Sequence, residues 1–300
     1  MGIASQSAYV SSEAKALAAN VDVVVIAGGF DAESESEGGD RSFRLPPGQD
    51  ELIEQMVAVN KNTVVILNSG GAVDMNAWIE RTPALLEAWY PGQEGGRAIA
   101  EILFGHVNPS GRLPATFERR WEDNPVHDSY YPKRGTYEVV YKEGLFVGYR
   151  GYEQYGTKPL FPFGYGLSYT TFAYSNLRIK PIVSTPSKAN SSESLVEISF
   201  DIKNTGSRDG ADVAQVYVAA PHSKVPRPAK ELKQLARVEL KAGESKTETL
   251  TLDRRAFSYY DVAAKKWNLP AEKFDILVGR SSQDIQIRGS VSPAATAQDP

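Results

Sequence analysis

The chain of 300 residues contains no cysteine, so a disulfide framework, a thiol nucleophile and a cysteine-ligated metal are all excluded. That absence does not fix the compartment, because secreted proteins can also lack disulfides. The three histidines, His106, His127 and His222, are too scattered for metal-ligand spacing or a Ser/His/Asp triad. There is no excess of positive charge: a net charge of −4 with 23% charged residues offers neither a basic footprint for nucleic acid nor a polybasic membrane signal. No run approaches the ~18 apolar residues of a membrane span. Met1-Gly2-Ile3-Ala4-Ser5-Gln6 lacks the basic start and apolar core of a signal peptide, and Gln6 stands where myristoylation wants Ser or Thr. A dinucleotide-binding turn is also absent, since Gly28-Gly29-Phe30 does not supply G-x-G-x-x-G after the first strand.

What is present is enough for two domains, with 41% hydrophobic residues to build their cores. From Val21 to about Phe117 strand and helix patterns alternate. Val21 to Gly29 is short, β-branched and closed by two glycines, which predicts a strand buried on both faces. Ser12 to Asn20 and Gly48 to Val59 have helical spacing. Thr63 to Asn68 predicts a second buried strand, Ala84 to Trp89 a third, and Gly95 to Phe104 a helix with Ile99, Ile102 and Leu103 on one face. This alternation implies a mostly parallel sheet flanked by helices, a partial α/β sandwich. The chain opens almost directly on a helix and a buried strand that needs neighbours on both sides, and the expectation is that sequence is missing upstream.

Residues 118–160 are rich in Tyr, Pro and charge without a period, longer than an ordinary loop. Leu160 to Tyr169 crowds aromatics, proline and glycine and reads as a structural junction. Val183 to Ser194 is small and polar, as in an exposed loop, and Asn190-Ser191-Ser192 within it fits the short glycosylation pattern. Beyond it come short alternating strands. Val196, Ile198, Phe200 and Ile202 share one face, and Val213, Gln215 and Tyr217 share another in part; further strands follow at Val238 to Leu240, Thr247 to Leu252 and Phe274 to Val278. Turns at Asn204-Thr205-Gly206 and Ala242-Gly243-Glu244 complete the pattern of an all-β sandwich, with a frayed tail from Val291. The expected organisation is an α/β domain over 1–120, truncated upstream, a connecting segment over 121–180 and an all-β domain over 181–300.

The chemistry-bearing stretch is Glu33-Ser34-Glu35-Ser36-Glu37-Gly38-Gly39-Asp40-Arg41, in a loop after one strand and before a helix. In an open α/β sheet, ligands bind outside the carboxyl ends of the strands. Clustered carboxylates repel one another, which a solvated surface loop tolerates. The sharper reading is that one carboxyl is held in a cleft as a proton donor while Arg41 orients its neighbours. Glu94, in Gly92-Gln93-Glu94-Gly95-Gly96, reads as a helix-start residue.

Four stretches in order resemble the carboxyl-terminal part of the family 3 glycoside hydrolases, the β-glucosidase family. They are Glu35-Ser36-Glu37-Gly38-Gly39-Asp40-Arg41 with Leu45-Pro46; Trp89-Tyr90-Pro91-Gly92-Gln93-Glu94-Gly95-Gly96 running to Asn108-Pro109-Ser110-Gly111-Arg112-Leu113-Pro114; Tyr141-Lys142-Glu143-Gly144 to Gly148-Tyr149-Arg150; and Phe161 to Tyr169. Lys203-Asn204-Thr205-Gly206, Arg227-Pro228-Ala229-Lys230-Glu231-Leu232 and Val278 to Ser282 resemble the fibronectin type III-like domain that follows in many members.

The resemblance implies a retaining exo-acting β-glycosidase, first of all a β-glucosidase, with a β-linked glycoside as substrate and no cofactor or metal. Such an enzyme needs two carboxyl groups about 5 Å apart, one nucleophile and one acid/base. In the family, the nucleophile is an Asp on an amino-terminal (β/α)8 barrel and the acid/base is a Glu on a loop of the α/β domain. Glu37 matches that acid/base best, Glu35 is the competitor, and Glu33 is the solvated one. Asp40 and Arg41 are expected to fix the loop. The barrel, in cis or in trans, is the implied partner, and without it the chain is expected not to turn over substrate. The alternatives are a non-catalytic carbohydrate-binding or structural fragment, part of a β-xylosidase, or an adhesion module in the last domain.

Overall fold

The computed structural model describes residues 10–182 and 194–293. The polar loop with Asn190, and the termini outside these bounds, lie beyond the described residues. The chain forms two compact units. The first is Met1–His106 with Phe117–His127 and Lys158–Leu160; the second is Val107–Thr116, Asp128–Thr157 and Phe161–Pro300.

In the first unit, α1 (Ser12–Ala19), β1 (Val24–Gly29), α2 (Gln49–Val59), β2 (Thr63–Asn68), β3 (Ala84–Glu87) and α3 (Gly95–Leu103) alternate as the pattern requires. The three strands form a parallel sheet in the order β1-β2-β3. Ser11 caps α1, its hydroxyl accepting from the Ala14 amide at 3.1 Å. Helix α2 follows Gly48, whose φ of +89° only glycine adopts without strain, and Asp50 and Glu51 lie in its positively polarised first turn. Ile53, Met56 and Val57 form its inward stripe, while β2, at the centre of the sheet, buries Val65, Ile66 and Leu67.

Strand β1 departs from the expectation of burial on both faces. It begins at Val24, Val25 is 51% exposed, and Ile26 is its buried residue. The reason is positional: β1 is an edge strand among the described residues, paired with β2 alone. Its two closing glycines serve close approach. A Cβ on Gly29 would lie 2.0 Å from the Asn68 carbonyl oxygen, and one on Gly28 would lie 2.8 Å from the Gln49 side chain. Gln49 closes the joint, accepting from the Gly29 amide at 2.7 Å and donating to the Gly29 carbonyl at 2.9 Å. The end of β1 and the start of α2 are thereby tied together, and the acidic loop runs between them.

The second unit begins its regular structure with α4 (Tyr149–Tyr155). Its strands are β4 (Phe172–Pro181), β5 (Ser194–Asn204), β6 (Gly210–Ala219), β7 (Glu231–Leu240) and β8 (Ser245–Asp253). A short helix, α5 (Arg254–Phe257), precedes β9 (Tyr259–Asp261), β10 (Lys266–Asn268), β11 (Phe274–Gly279) and β12 (Ile285–Val291). Two antiparallel sheets, β12-β11-β6-β7 and β4-β5-β8, pack face to face, and β9-β10 is a separate hairpin. Strand β4 pairs with β5 and so belongs to the sandwich, although its sequence falls in the stretch that reads as a connector. Val291 is not frayed: it pairs with Phe274 and is buried.

Val196, Ile198, Phe200 and Ile202 all point into the core, as their alternation predicts. On β6 the core face is Ala214, Val216 and Val218, while Gln215 and Tyr217 on the other face are buried as well. Gln215 is satisfied there, donating to the carbonyls of Gly164 at 2.9 Å and Arg280 at 2.7 Å and accepting from the Tyr217 hydroxyl at 2.6 Å. Gly164 has φ +81°, and a Cβ there would lie 2.1 Å from Gln215. The Phe161–Tyr169 segment is therefore seated against β6 by hydrogen bonds as well as by its aromatics. Asp212, fully buried, accepts from the Tyr174 hydroxyl at 2.8 Å and pairs with Arg112. Buried Asn204 makes the Asn204-Thr205-Gly206 turn, donating to the Arg208 carbonyl at 2.7 Å and accepting from the Gly206 amide at 3.1 Å.

Candidate active site

The loop after β1 meets the loops after β2 and β3 at the carboxyl ends of the parallel strands, where such sheets hold ligands. The loop is built by short polar side chains. The Asp31 carboxylate accepts from the Glu33 amide at 3.1 Å, the Ser34 amide at 3.0 Å and the Ser34 hydroxyl at 2.7 Å. These bonds hold its pKa below the ordinary carboxylate value, the Ser34 hydroxyl contributing most. Ser36 and Gly39 then pair across a tight turn with Glu37 and Gly38 at its tip. Gly38 has φ +79°, a conformation for which glycine is suited.

The glutamates have different fates. Glu35 turns back onto the sheet, where the Tyr90 hydroxyl donates to its Oε2 and Arg41 Nε lies 3.6 Å from the same oxygen. Its other oxygen is so close to Gly70 that a Cβ there would approach it to 2.4 Å. Glu37 is exposed at the turn tip, and its carboxyl makes no hydrogen bond or ion pair among the described residues. Glu33 is exposed too, as expected of the solvated member.

Arg41 anchors the far side of the turn. Its guanidinium donates to the Ala72 carbonyl at 2.7 Å and to the Ser42 carbonyl at 3.3 Å, and lies 5.1 Å from the centre of the Phe30 ring. The expectation that Arg41 fixes the loop and pairs with a neighbouring carboxylate matches this geometry. Asp40 takes no part in the anchoring. It is exposed and engages no partner among the described residues, and Asp31 holds the loop in its place.

Sequence reasoning missed the floor of this site. Glu87, the last residue of β3, accepts from the Trp89 amide at 2.9 Å and from the Ser69 hydroxyl at 3.1 Å. Burial outweighs those bonds and pushes its carboxyl up to about 7. Trp89 adopts φ +55°, rare for a bulky residue and of the kind that clusters at functional sites. Its neighbour Tyr90 is raised to about 12, by partial burial and by the Glu35 carboxylate it serves. The available signal was the Trp89-Tyr90-Pro91-Gly92 run and the Ser69-Gly70-Gly71 strand end, from which the parallel sheet brings Tyr90 and Gly70 to Glu35. Glu94 stands at the N-cap of α3, without a side-chain bond to the helix. His106 and His127 pack beside Phe104 and Trp121, and no group of three or more potential metal ligands gathers among the described residues. Among those residues no helix is long and apolar enough to cross a membrane.

Residues 3–149 match the glycosyl hydrolase family 3 C-terminal domain, and residues 212–282 match the fibronectin type III-like domain. The chain belongs to glycosyl hydrolase family 3. It is 44% identical to thermostable beta-glucosidase B of Acetivibrio thermocellus over 288 residues, which is 96% of this chain and 37% of that protein. It is 41% identical to beta-glucosidase B of Emericella nidulans, with 96% of this chain and 34% of that protein covered. Among solved structures it is similar to the Bifidobacterium adolescentis GH3 beta-glucosidase, with a TM-score of 0.86, 38% identity, and 94% of this chain and 40% of that one covered. The chain thus spans little more than a third of the length of the curated relatives it matches, and among the described residues neither unit forms a (β/α)8 barrel.

Proposed function

We propose that this chain supplies the general acid/base of a retaining exo-acting β-glucosidase, with Glu37 in that role. The observation that carries the reading is the contrast between two glutamates two positions apart. Glu35 is engaged by Tyr90 and Arg41, whereas Glu37 stands free at the tip of a turn whose flanks are anchored. A proton donor that must reach a glycosidic oxygen needs an accessible carboxyl on a fixed base. The names of the relatives, beta-glucosidases from bacteria and fungi, support the substrate class.

The second carboxylate, the nucleophile, comes in this reading from a (β/α)8 barrel in cis or in trans. The two carboxyl groups stand about 5 Å apart in this reading, the spacing of a retaining mechanism. Glu37 protonates the departing oxygen, the barrel carboxylate forms the glycosyl-enzyme, and Glu37 then deprotonates the water that releases the sugar.

The test is hydrolysis of a chromogenic β-glucoside by the chain alone, and by the chain together with a separately produced family barrel. The expected result is turnover in the mixture only, with Glu37→Gln lowering kcat by about 10²–10⁴-fold. The loss should shrink for a dinitrophenyl glucoside, whose leaving group departs without a proton. Full activity in Glu37→Gln with loss in Glu35→Gln would move the role to Glu35. Turnover by the chain alone would overturn the need for a barrel.

A further inference from the structure

A cleft of about 750 Å3 opens within the second unit, between the Arg227–Lys233 segment, the β9-β10 hairpin and the start of α4. Its size suits an organic ligand of two or three rings. None of its lining residues belongs to the acidic loop, so ligand binding there is independent of any role for Glu37.

On one wall, three cations converge on a single carboxylate. Glu231 faces Lys233 Nζ at 3.4 Å, Arg227 at 3.6 Å and Arg150 at 3.7 Å. All three distances exceed the ~2.7–2.9 Å of a charge-assisted hydrogen bond. Arg227 commits one donor to the Phe257 carbonyl at 3.2 Å, while Arg150 makes no hydrogen bond among the described residues. The wall therefore holds a local excess of two positive charges with N–H donors left over. Burial already bears on it: the Lys233 ammonium is held below its ordinary value by desolvation, against the pull of Glu231. The cleft's other carboxylates are engaged elsewhere, Asp253 by the Ala256 amide and Asp261 by the Ala264 amide, both at 2.9 Å.

The same cleft is also lined by aromatics. Trp267 and Tyr260 pair across the β9-β10 hairpin with ring centres 5.6 Å apart, 44% and 48% exposed. Arg255 lies 3.6 Å over the Trp267 ring and steadies it. Half-exposed aromatics in the same cleft as charged donors suit a ligand with an apolar ring face and an acidic group, because the polarised C–H groups of a pyranose pack on aromatic rings.

We propose that this cleft binds an acidic saccharide, a uronate-bearing chain, with its carboxylate against Arg150, Arg227 and Lys233 and its ring along Trp267 and Tyr260. Bound carboxylate would take up the donors that Glu231 leaves unused, and bidentate pairing with Arg150 would give it orientation.

The test is calorimetric titration of the full chain with three probes: a glucuronate-containing trisaccharide, a neutral cellotriose and sodium sulfate. The acidic trisaccharide is expected to bind at least tenfold more tightly than cellotriose, and to weaken with added salt. Lys233→Met and Arg150→Gln should each cost about tenfold in Kd, with Arg150→Lys retaining part of the affinity. Trp267→Ala should weaken the trisaccharide and leave sulfate unchanged. Melting curves identify any variant that fails to fold, and Arg150→Lys serves in its place. Equal binding of acidic and neutral saccharides, no binding to the intact chain, or sulfate binding as tightly as the trisaccharide would each overturn the proposal.

Discussion

Tyr90 and Glu35, 55 residues apart in sequence, share one hydrogen bond at the carboxyl end of the parallel sheet. The bond turns one glutamate of the acidic loop inward and leaves its near neighbour Glu37 outward. Tyr90→Phe should therefore destabilise the first unit by about 1 kcal/mol, the worth of a partly exposed hydrogen bond to a charged group. Urea denaturation checks this, and phenol titration by ultraviolet absorbance should find one tyrosine near 12 in the parent chain that the variant lacks.

The same contrast separates the two glutamates without any activity assay. Glu37→Gln should change stability by less than about 0.5 kcal/mol, as for a surface position without partners. Glu35→Gln weakens the contacts to Tyr90 and Arg41 and should cost about 1–2 kcal/mol. Equal losses in the two denaturation midpoints would contradict the arrangement.

Glu87 makes the first unit sensitive to pH. Its folded-state pKa of about 7 lies above the ordinary 4.5. Between those values the folded state keeps a proton that the unfolded chain has released, so this group's contribution is greatest in acid and falls as pH rises from about 4.5 to 7. The full swing is at most about 3–4 kcal/mol, from 1.36 kcal/mol per unit. Glu87→Gln should flatten the stability profile across that window and leave the variant the more stable chain at pH 8. Profiles of equal slope would remove Glu87 as the cause.

The Asp212 carboxylate, with no exposed surface, has Arg112, the Tyr174 hydroxyl and the Val213 amide as its partners. Arg112→Met leaves that charge buried with the Tyr174 hydroxyl and the Val213 amide as its donors and no cation, and should cost about 3–5 kcal/mol. A loss under 1 kcal/mol in thermal or urea unfolding would show that the pair is solvated.

Two glycines with positive φ should respond differently to alanine. Gly38 meets nothing within 4 Å, so Gly38→Ala carries conformational strain alone, about 1 kcal/mol. Gly29→Ala adds a collision with the Asn68 carbonyl and should cost more than about 4 kcal/mol or prevent folding. Soluble yield and melting temperature decide between these outcomes.

Elements whose pattern reflects local burial were legible in the sequence. Thr63 to Asn68 and the helix ending at Val59 emerged with the expected bounds, and the face Val196-Ile198-Phe200-Ile202 entered the core whole. Elements that depend on neighbours were not. Val25 is as β-branched as a core residue, yet it is exposed because its strand lies at a sheet edge. On β6 the polar Gln215 is buried because it bonds two carbonyls from distant segments, which alternation cannot report. In the candidate site, Glu35, Glu37 and Arg41 could be read from one motif. Their separation into held and free carboxyls could not, because Tyr90 reaches Glu35 only through strand order.

The paired hydrogen bonds between Gln49 and Gly29 give the acidic loop the character of a replaceable cassette. Both of its ends are stapled at one point, so a change confined to the exposed tip at Glu37 and Gly38 should leave the register of β1 on β2 as it is. A residue inserted beside Gly38 would extend the reach of Glu37 while the sheet beneath stayed as it is. The fold can thus be fitted to different opposing surfaces by editing a few exposed positions, with the hydrophobic interior left untouched.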